Sequence, residues 1–184
     1  MEISDKKIIL VLVGASGSGK TTLANALAAA GIPKLVTTTT RPKRPDEVEG
    51  RDYHFRDKSE MLDIAFIENS LYDDHLYGLT VDAVEEGLDL YDVVNVVLDK
   101  NGAAALREVY PLYTKIIYLS ITEEELQQRL ENRGDNPESI QQRLAFAKQT
   151  GEFNAPIETD LILPVQDVAT SVQTIQAFLE KNEV

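Results

Sequence analysis

An α/β fold, a parallel sheet flanked by helices, is what this 184-residue chain predicts, and three observations carry the prediction. Ile8-Ile9-Leu10-Val11-Leu12-Val13 is an unbroken apolar, β-branched run, the pattern of a strand buried on both faces. A glycine-rich turn follows it, and then Thr22-Leu23-Ala24-Asn25-Ala26-Leu27-Ala28-Ala29-Ala30, a run of helix formers stopped by Gly31. Further on, strand-like runs alternate with helix-like ones, and such alternation folds as parallel strands joined by helical crossovers.

The other elements follow in order. Val93-Val94-Asn95-Val96-Val97-Leu98 reads as a second buried strand, leading to a helix from about Gly102 to Val109. Lys115-Ile116-Ile117-Tyr118-Leu119 is a third strand. Thr122-Glu123-Glu124-Glu125 is a capping box, hydroxyl at the cap and carboxylate three later, and opens a helix through about Asn132. Leu161-Ile162-Leu163 is a short last strand. The closing helix, about Asp167 to Glu180, puts Val168, Val172, Ile175 and Leu179 on one apolar stripe. Two stretches break the alternation. Residues from about Val36 to Tyr77 carry short threonine- and tyrosine-bearing runs, prolines and one small helix after Asp57-Lys58-Ser59-Glu60, which reads as a mostly β insertion. Arg133-Gly134-Asp135-Asn136-Pro137 is a polar, arginine-flanked connection between two helical segments, the form expected of a lid. A single domain over 1–184 is expected, with a core of 1–35, 80–130 and 150–184, a lobe at 36–79 and a lid at about 131–149.

The turn after the first strand, Gly14-Ala15-Ser16-Gly17-Ser18-Gly19-Lys20-Thr21, spells G-x-x-x-x-G-K-T between strand and helix, the P-loop in its proper context. Its glycines let backbone N–H groups turn inward around phosphate oxygens, and the helix N-terminus adds positive dipole. Ala15, Ser16, Gly17, Ser18, Gly19, Lys20, Thr21 and Thr22 are the expected nucleoside triphosphate site. Lys20 would reach the β- and γ-phosphates, and the Thr21 hydroxyl would ligate Mg²⁺.

Hydrophobic content of 43% and charged content of 27% are those of a soluble globular protein. A formal charge of −13 argues against a nucleic-acid polymer as partner, since backbone binding needs a basic surface. Anionic small molecules would instead meet local clusters: Arg41, Lys43, Arg44 and Arg51, then Arg129, Arg133 and Arg143. With no cysteine there is no disulfide framework, thiolate metal site or cysteine nucleophile. No apolar stretch approaches the ~20 residues of a membrane helix, and no signal segment opens the chain, so a cytoplasmic, membrane-free protein is expected.

The next informative block runs Thr37-Thr38-Thr39-Thr40-Arg41-Pro42-Lys43-Arg44-Pro45, then Gly50-Arg51-Asp52-Tyr53-His54-Phe55. Two arginines three apart beside prolines can form a double guanidinium grip on one phosphate, with Tyr53 adding a hydroxyl donor. Together with Phe66-Ile67-Glu68-Asn69, Leu76-Tyr77-Gly78 and Arg129-Leu130-Glu131-Asn132-Arg133-Gly134 with its later Arg143, this order of motifs resembles the guanylate kinases. The resemblance runs from the P-loop to about Leu144. It implies a P-loop NTPase three-layer fold carrying an inserted, mostly β nucleotide-monophosphate-binding lobe and a helical lid. It also implies transfer of the γ-phosphoryl group of ATP to GMP, giving ADP and GDP.

By that resemblance Arg41, Arg44, Tyr53 and Tyr77 hold the GMP phosphate, and Glu68 accepts from the guanine N1–H and 2-amino groups. Thr37 supplies a hydroxyl at the base, and Asp99 a second carboxylate beneath the purine; read only as a carboxylate after an apolar strand, Asp99 could serve either Mg²⁺ through water or the purine. Leu79 stands where the family has a small hydroxyl residue, with adjacent Thr80 as substitute. Val97 replaces an acidic residue, Pro164 replaces an asparagine near the adenine of ATP, and the lid is slightly short. Lys20, Arg129, Arg133 and Arg143 are the expected catalytic cations. No general base is assigned, His54 and His75 included, because a phosphate monoester with a second pKa near ~6 is already largely dianionic at neutral pH. Competing readings are another small-molecule kinase, such as a ribose bisphosphate kinase, and a non-catalytic guanylate-kinase-like interaction module. Monomer and dimer are equally compatible with the sequence.

Overall fold

A computed structural model describes residues 7–72 and 74–182. The first strand, β1 (Ile8–Gly14), is central because its apolar run satisfies both faces of a sheet. It pairs in parallel with β6 (Val93–Val97) on one side and β7 (Thr114–Ser120) on the other, and β8 (Leu161–Pro164) extends the sheet beyond β7, giving the order β6-β1-β7-β8. Alternate residues of β1 feed two cores. Ile9, Val11 and Val13 pack with Val84 and Leu88 of α2 (Val81–Leu90) and with Ala103 and Leu106 of α3 (Lys100–Val109). Leu10 and Leu12 pack with Leu23, Ala24 and Leu27 of α1 (Lys20–Ala29) and with Ile175 and Leu179 of α6 (Val168–Asn182). The result is a parallel sheet between two helical layers.

Parallel strands deliver their carboxyl ends to one edge, where α/β folds build ligand sites. Three segments meet there: the P-loop after β1, Asp99 after β6, and Thr122 after β7. Thr122 caps α4 (Glu123–Arg133), with both halves of the predicted capping box formed. Gly134, left-handed at φ 86, ends that helix, and Asn136 caps α5 (Pro137–Gln149) through the Ser139 N–H at 2.8 Å. The α4–α5 pair packs through Leu126, Leu130, Ile140 and Leu144.

The insertion forms its own sheet, ordered β3 (His54–Phe55), β2 (Thr38–Thr39), β5 (His75–Thr80), β4 (Phe66–Tyr72), with a 3₁₀ turn at Glu60–Asp63. Gly78 is obligatory in its hairpin, because a Cβ there would lie 2.5 Å from the Phe66 ring. The lobe rests on the core where β4 packs against α3.

Two features depart from the sequence expectations. Helix α2 is absent from the predicted elements; a Cβ at its Gly87 would come within 2.4 Å of Leu35. Val168 is 36% exposed at the start of α6, so the buried stripe begins one turn later. One buried polar residue ties the layers together. Asn95, fully buried in β6, donates through Nδ2 to the carbonyls of Ile32 at 2.7 Å and Ala24 at 3.3 Å.

Candidate active site

The P-loop wraps the N-terminus of α1. Gly19 has φ +100, and a Cβ on it would sit 3.3 Å from Arg129 Nη1, so the loop backbone and the lid arginine approach closely. Arg129 also donates to the Ser18 carbonyl at 3.4 Å, and Arg143 Nη1 donates to Ser16 Oγ at 3.0 Å. Lys20 Nζ donates to the carbonyls of Gly14 at 2.6 Å and Ala15 at 2.9 Å, leaving one N–H free. Burial pushes the Lys20 ammonium down to about 8, with the Glu152 carboxylate pulling the other way. Arg133 and Arg143 flank Asp135: Arg133 Nε donates to Asp135 Oδ1 at 2.7 Å, and Arg143 Nε lies 3.8 Å from Oδ2. Asp135 thereby keeps two like charges side by side at the mouth of the site.

A cavity of about 980 Å³ runs from this loop to the inserted lobe. It is lined by Gly14, Ser16, Gly17, Gly19, Lys20, Thr21 and Thr22 of the P-loop and α1, by Arg129, Arg133 and Arg143 of the α4–α5 pair, by Asp99 after β6, and by Tyr53 and Tyr77 of the inserted lobe. Ala15 and Ser18 are buried within the loop. Behind the tyrosines stands Arg41, its guanidinium 5.5 Å from the Tyr53 ring centroid and paired with Glu47 Oε1 at 2.5 Å. Glu47 also accepts from the Arg44 N–H at 2.8 Å, so one carboxylate links both arginines, Arg41 by its side chain and Arg44 by its backbone. The Arg44 side chain is exposed. Burial raises the Tyr53 phenol, keeping its hydroxyl protonated and able to donate.

Glu68 lies deeper. Its Oε1 accepts from the Leu79 N–H at 3.2 Å, and Oε2 packs on Gly102, where a Cβ would lie 3.0 Å away. Burial first, and the neighbouring Asp99 charge second, push its carboxyl up to about 7. Asp99 caps α3, accepting from the Gly102 N–H at 2.7 Å. Thr37 is half-buried before β2 and uses its carbonyl to hold the His54 N–H at 2.9 Å.

Of the expected site residues, Ala15, Ser18, Thr37, Arg41, Arg44, Glu68 and Thr80 do not line the cavity. Thr80 has a different post: it is buried, and its hydroxyl caps α2 by accepting from the Ala83 N–H at 3.1 Å. Leu79 is fully buried in the core beneath α2 and α3. Lining residues that the sequence reading did not single out include Ser70, Lys100, Asn101, Phe146, Thr150 and Glu152. Ser70 was legible in principle, two residues past Glu68 on the same face of β4. Glu152 carries no sequence signal; it arrives through the turn after α5, and its Oε2 accepts from the Ser16 N–H at 3.1 Å.

The donor set suits a triphosphate with its cation. The loop backbone, one ammonium and three guanidinium groups line the cavity, and so does Thr21 at the start of α1. A sequence profile of the guanylate kinase family matches residues 6–182. The chain belongs to the guanylate kinase family. The guanylate kinase of Alkalilimnicola ehrlichii is 34% identical over 181 residues, covering 95% of this chain and 88% of that protein. That of Methylococcus capsulatus is 32% identical, covering 94% and 87%. The crystal structure of the guanylate kinase from Anaplasma phagocytophilum superposes with a TM-score of 0.70 at 28% identity, over 96% of this chain and 86% of that one. In the present chain the P-loop, the inserted sheet and the α4–α5 pair border one cavity. No helix among the described residues is long and apolar enough to cross a membrane.

Proposed function

We propose that this chain transfers the γ-phosphoryl group of ATP to GMP, giving ADP and GDP. One observation carries the reading: the P-loop, the three lid arginines and the tyrosine wall of the lobe border a single cavity of about 980 Å³. Donor and acceptor phosphates then meet under the arginines. An oxygen of the GMP phosphate attacks the γ-phosphorus while the bond to the bridging oxygen of ADP breaks. The attacking phosphate is already a dianion near neutral pH, so no side chain has to take its proton. Positioning and charge neutralisation remain, and they are what phosphoryl transfer asks of a protein.

Lys20, Arg129, Arg133 and Arg143 supply the neutralising charge. Thr21 would hold Mg²⁺ beside the triphosphate, where the ion offsets charge on the phosphate oxygens. Arg41, Arg44, Tyr53 and Tyr77 take the GMP phosphate, with Thr37 nearer the base; for Arg44 this requires its exposed side chain to turn inward. Glu68 and Asp99 read the base. Burial first, and repulsion from Asp99 second, raise the Glu68 carboxyl, and a ring edge bearing two adjacent donors offsets both. Guanine has them in N1–H and the 2-amino group, hypoxanthine has one, and adenine presents an acceptor at N1. A ribose bisphosphate kinase would have no use for this carboxylate pair, and a non-catalytic module would have none for the intact loop lysine.

The same proposal includes Mg·ATP as donor, a cytoplasmic location and no polymeric nucleic acid or membrane as partner. Steady-state turnover against a panel of nucleoside monophosphates tests it. GMP should give the highest kcat/KM, and equal use of AMP or CMP would overturn the assignment.

A further inference from the structure

The P-loop of this chain does not face an empty wall. The Ser16 N–H, one of the donors that would receive a phosphate oxygen, donates to Glu152 Oε2 at 3.1 Å. The backbone around Glu152 is pinned from several sides. Tyr118 Oη donates to the Glu152 carbonyl at 2.8 Å, the Glu152 N–H donates to the Ala147 carbonyl at 2.8 Å, and Lys100 Nζ donates to the Gly151 carbonyl. Gly151, at φ +66, makes the turn that brings the segment under the loop. With the main chain fixed, only the carboxylate is free to move, by rotation of its own side chain.

From this geometry we infer that Glu152 is an anion gate on the donor site: its carboxylate occupies a P-loop N–H that the triphosphate needs, and it swings away as ATP binds. The inference rests on the donor-site reading above. A single N–H gives its full strength to one acceptor at a time, and a carboxylate left among phosphates of like charge is repelled. The work of displacing Glu152 is therefore subtracted from ATP affinity. Lys20 makes the exchange feasible. It lies close enough to Glu152 for the carboxylate to favour its charged form, and an arriving phosphate replaces one anionic neighbour with another. Glu152 is thus a residue that sets donor affinity, distinct from the groups that grip the phosphates.

Calorimetric titration of the full chain with Mg·ATP and Mg·ADP tests this in wild type, Glu152→Gln and Glu152→Ala. The gate predicts tighter binding in both variants, by about three- to tenfold, the scale of one partly exposed charged contact. It also predicts a lower KM for ATP with KM for GMP unmoved, and a shifted Ser16 amide resonance in Glu152→Ala before any nucleotide is added. Tyr118→Phe, which frees the Glu152 carbonyl, should give a smaller tightening in the same direction. Weaker or unchanged Kd in the Glu152 variants would make the carboxylate a support for the loop and overturn the gate alone. A wild type that does not bind Mg·ATP would overturn the donor site and the gate with it.

Discussion

Glu68→Gln separates what a buried carboxyl does for function from what it does to stability. In the structure this group is pushed from its ordinary 4.5 to about 7 by burial and by Asp99. Between those two values the native chain binds more protons at Glu68 than the unfolded chain does, so stability falls as pH rises through that window. At pH 8 the ionised form costs roughly 3 kcal/mol by the size of the displacement. Part of the group meets solvent, and about half of that cost is expected to survive screening. The uncharged glutamine keeps the shape and escapes the penalty. Glu68→Gln should therefore melt about 3–6 °C above wild type at pH 8, with the gap shrinking toward zero near pH 4.5. The same variant should lose roughly 10- to 200-fold in kcat/KM for GMP, the worth of one charge-assisted hydrogen bond, with ATP binding little changed and IMP relatively favoured. Melting curves at the two pH values and a GMP-against-IMP comparison provide the assay. Equal melting at pH 8 would refute the raised carboxyl, and an unchanged GMP-to-IMP ratio would refute base reading at Glu68.

The same titration makes KM for GMP rise as pH falls below about 7, because guanine needs the ionised carboxylate; a KM that is flat from pH 8 to 5.5 would contradict it. Lys20→Ala should abolish most turnover while far-UV circular dichroism stays that of wild type, and wild-type rates would remove Lys20 from the mechanism. Labels near Asp46 on the lobe and Asp135 on the lid should come closer when a bisubstrate analogue binds, and an unchanged distance would argue against closure. Asn95→Val strips two hydrogen bonds from the buried link between β6, the middle of α1 and the segment after it, and should cost about 2 kcal/mol, or about 4–8 °C in melting temperature.

How far the sequence reaches depends on whether a feature is local. The P-loop, the Thr122 capping box and the buried strands are written in contiguous residues, and the structure builds each where its pattern lies. Helix α2 is not among the predicted elements, and its Gly87 packs against Leu35, a neighbour in space. The site divides along the same line. Lys20 and Arg129 belong to motifs, whereas Glu152 reaches Ser16 across 136 positions and the Arg41–Glu47 pair exists only once the loop after β2 has turned. The Thr80 hydroxyl was legible as a polar group beside Leu79, but a hydroxyl at the end of a strand is equally a helix cap, and only the Ala83 N–H decides between the two.

The cap at Asp99 also bears on how this molecule can change. It starts α3, a helix that packs on the central sheet, and it also lines the cavity. A substitution there alters ligand chemistry and helix anchoring together, so selection for a new base meets a folding cost at that position from the first step. Ser70 lines the same cavity from β4 and caps no helix. Drift and laboratory evolution toward a different acceptor should therefore accumulate at Ser70 long before they reach Asp99.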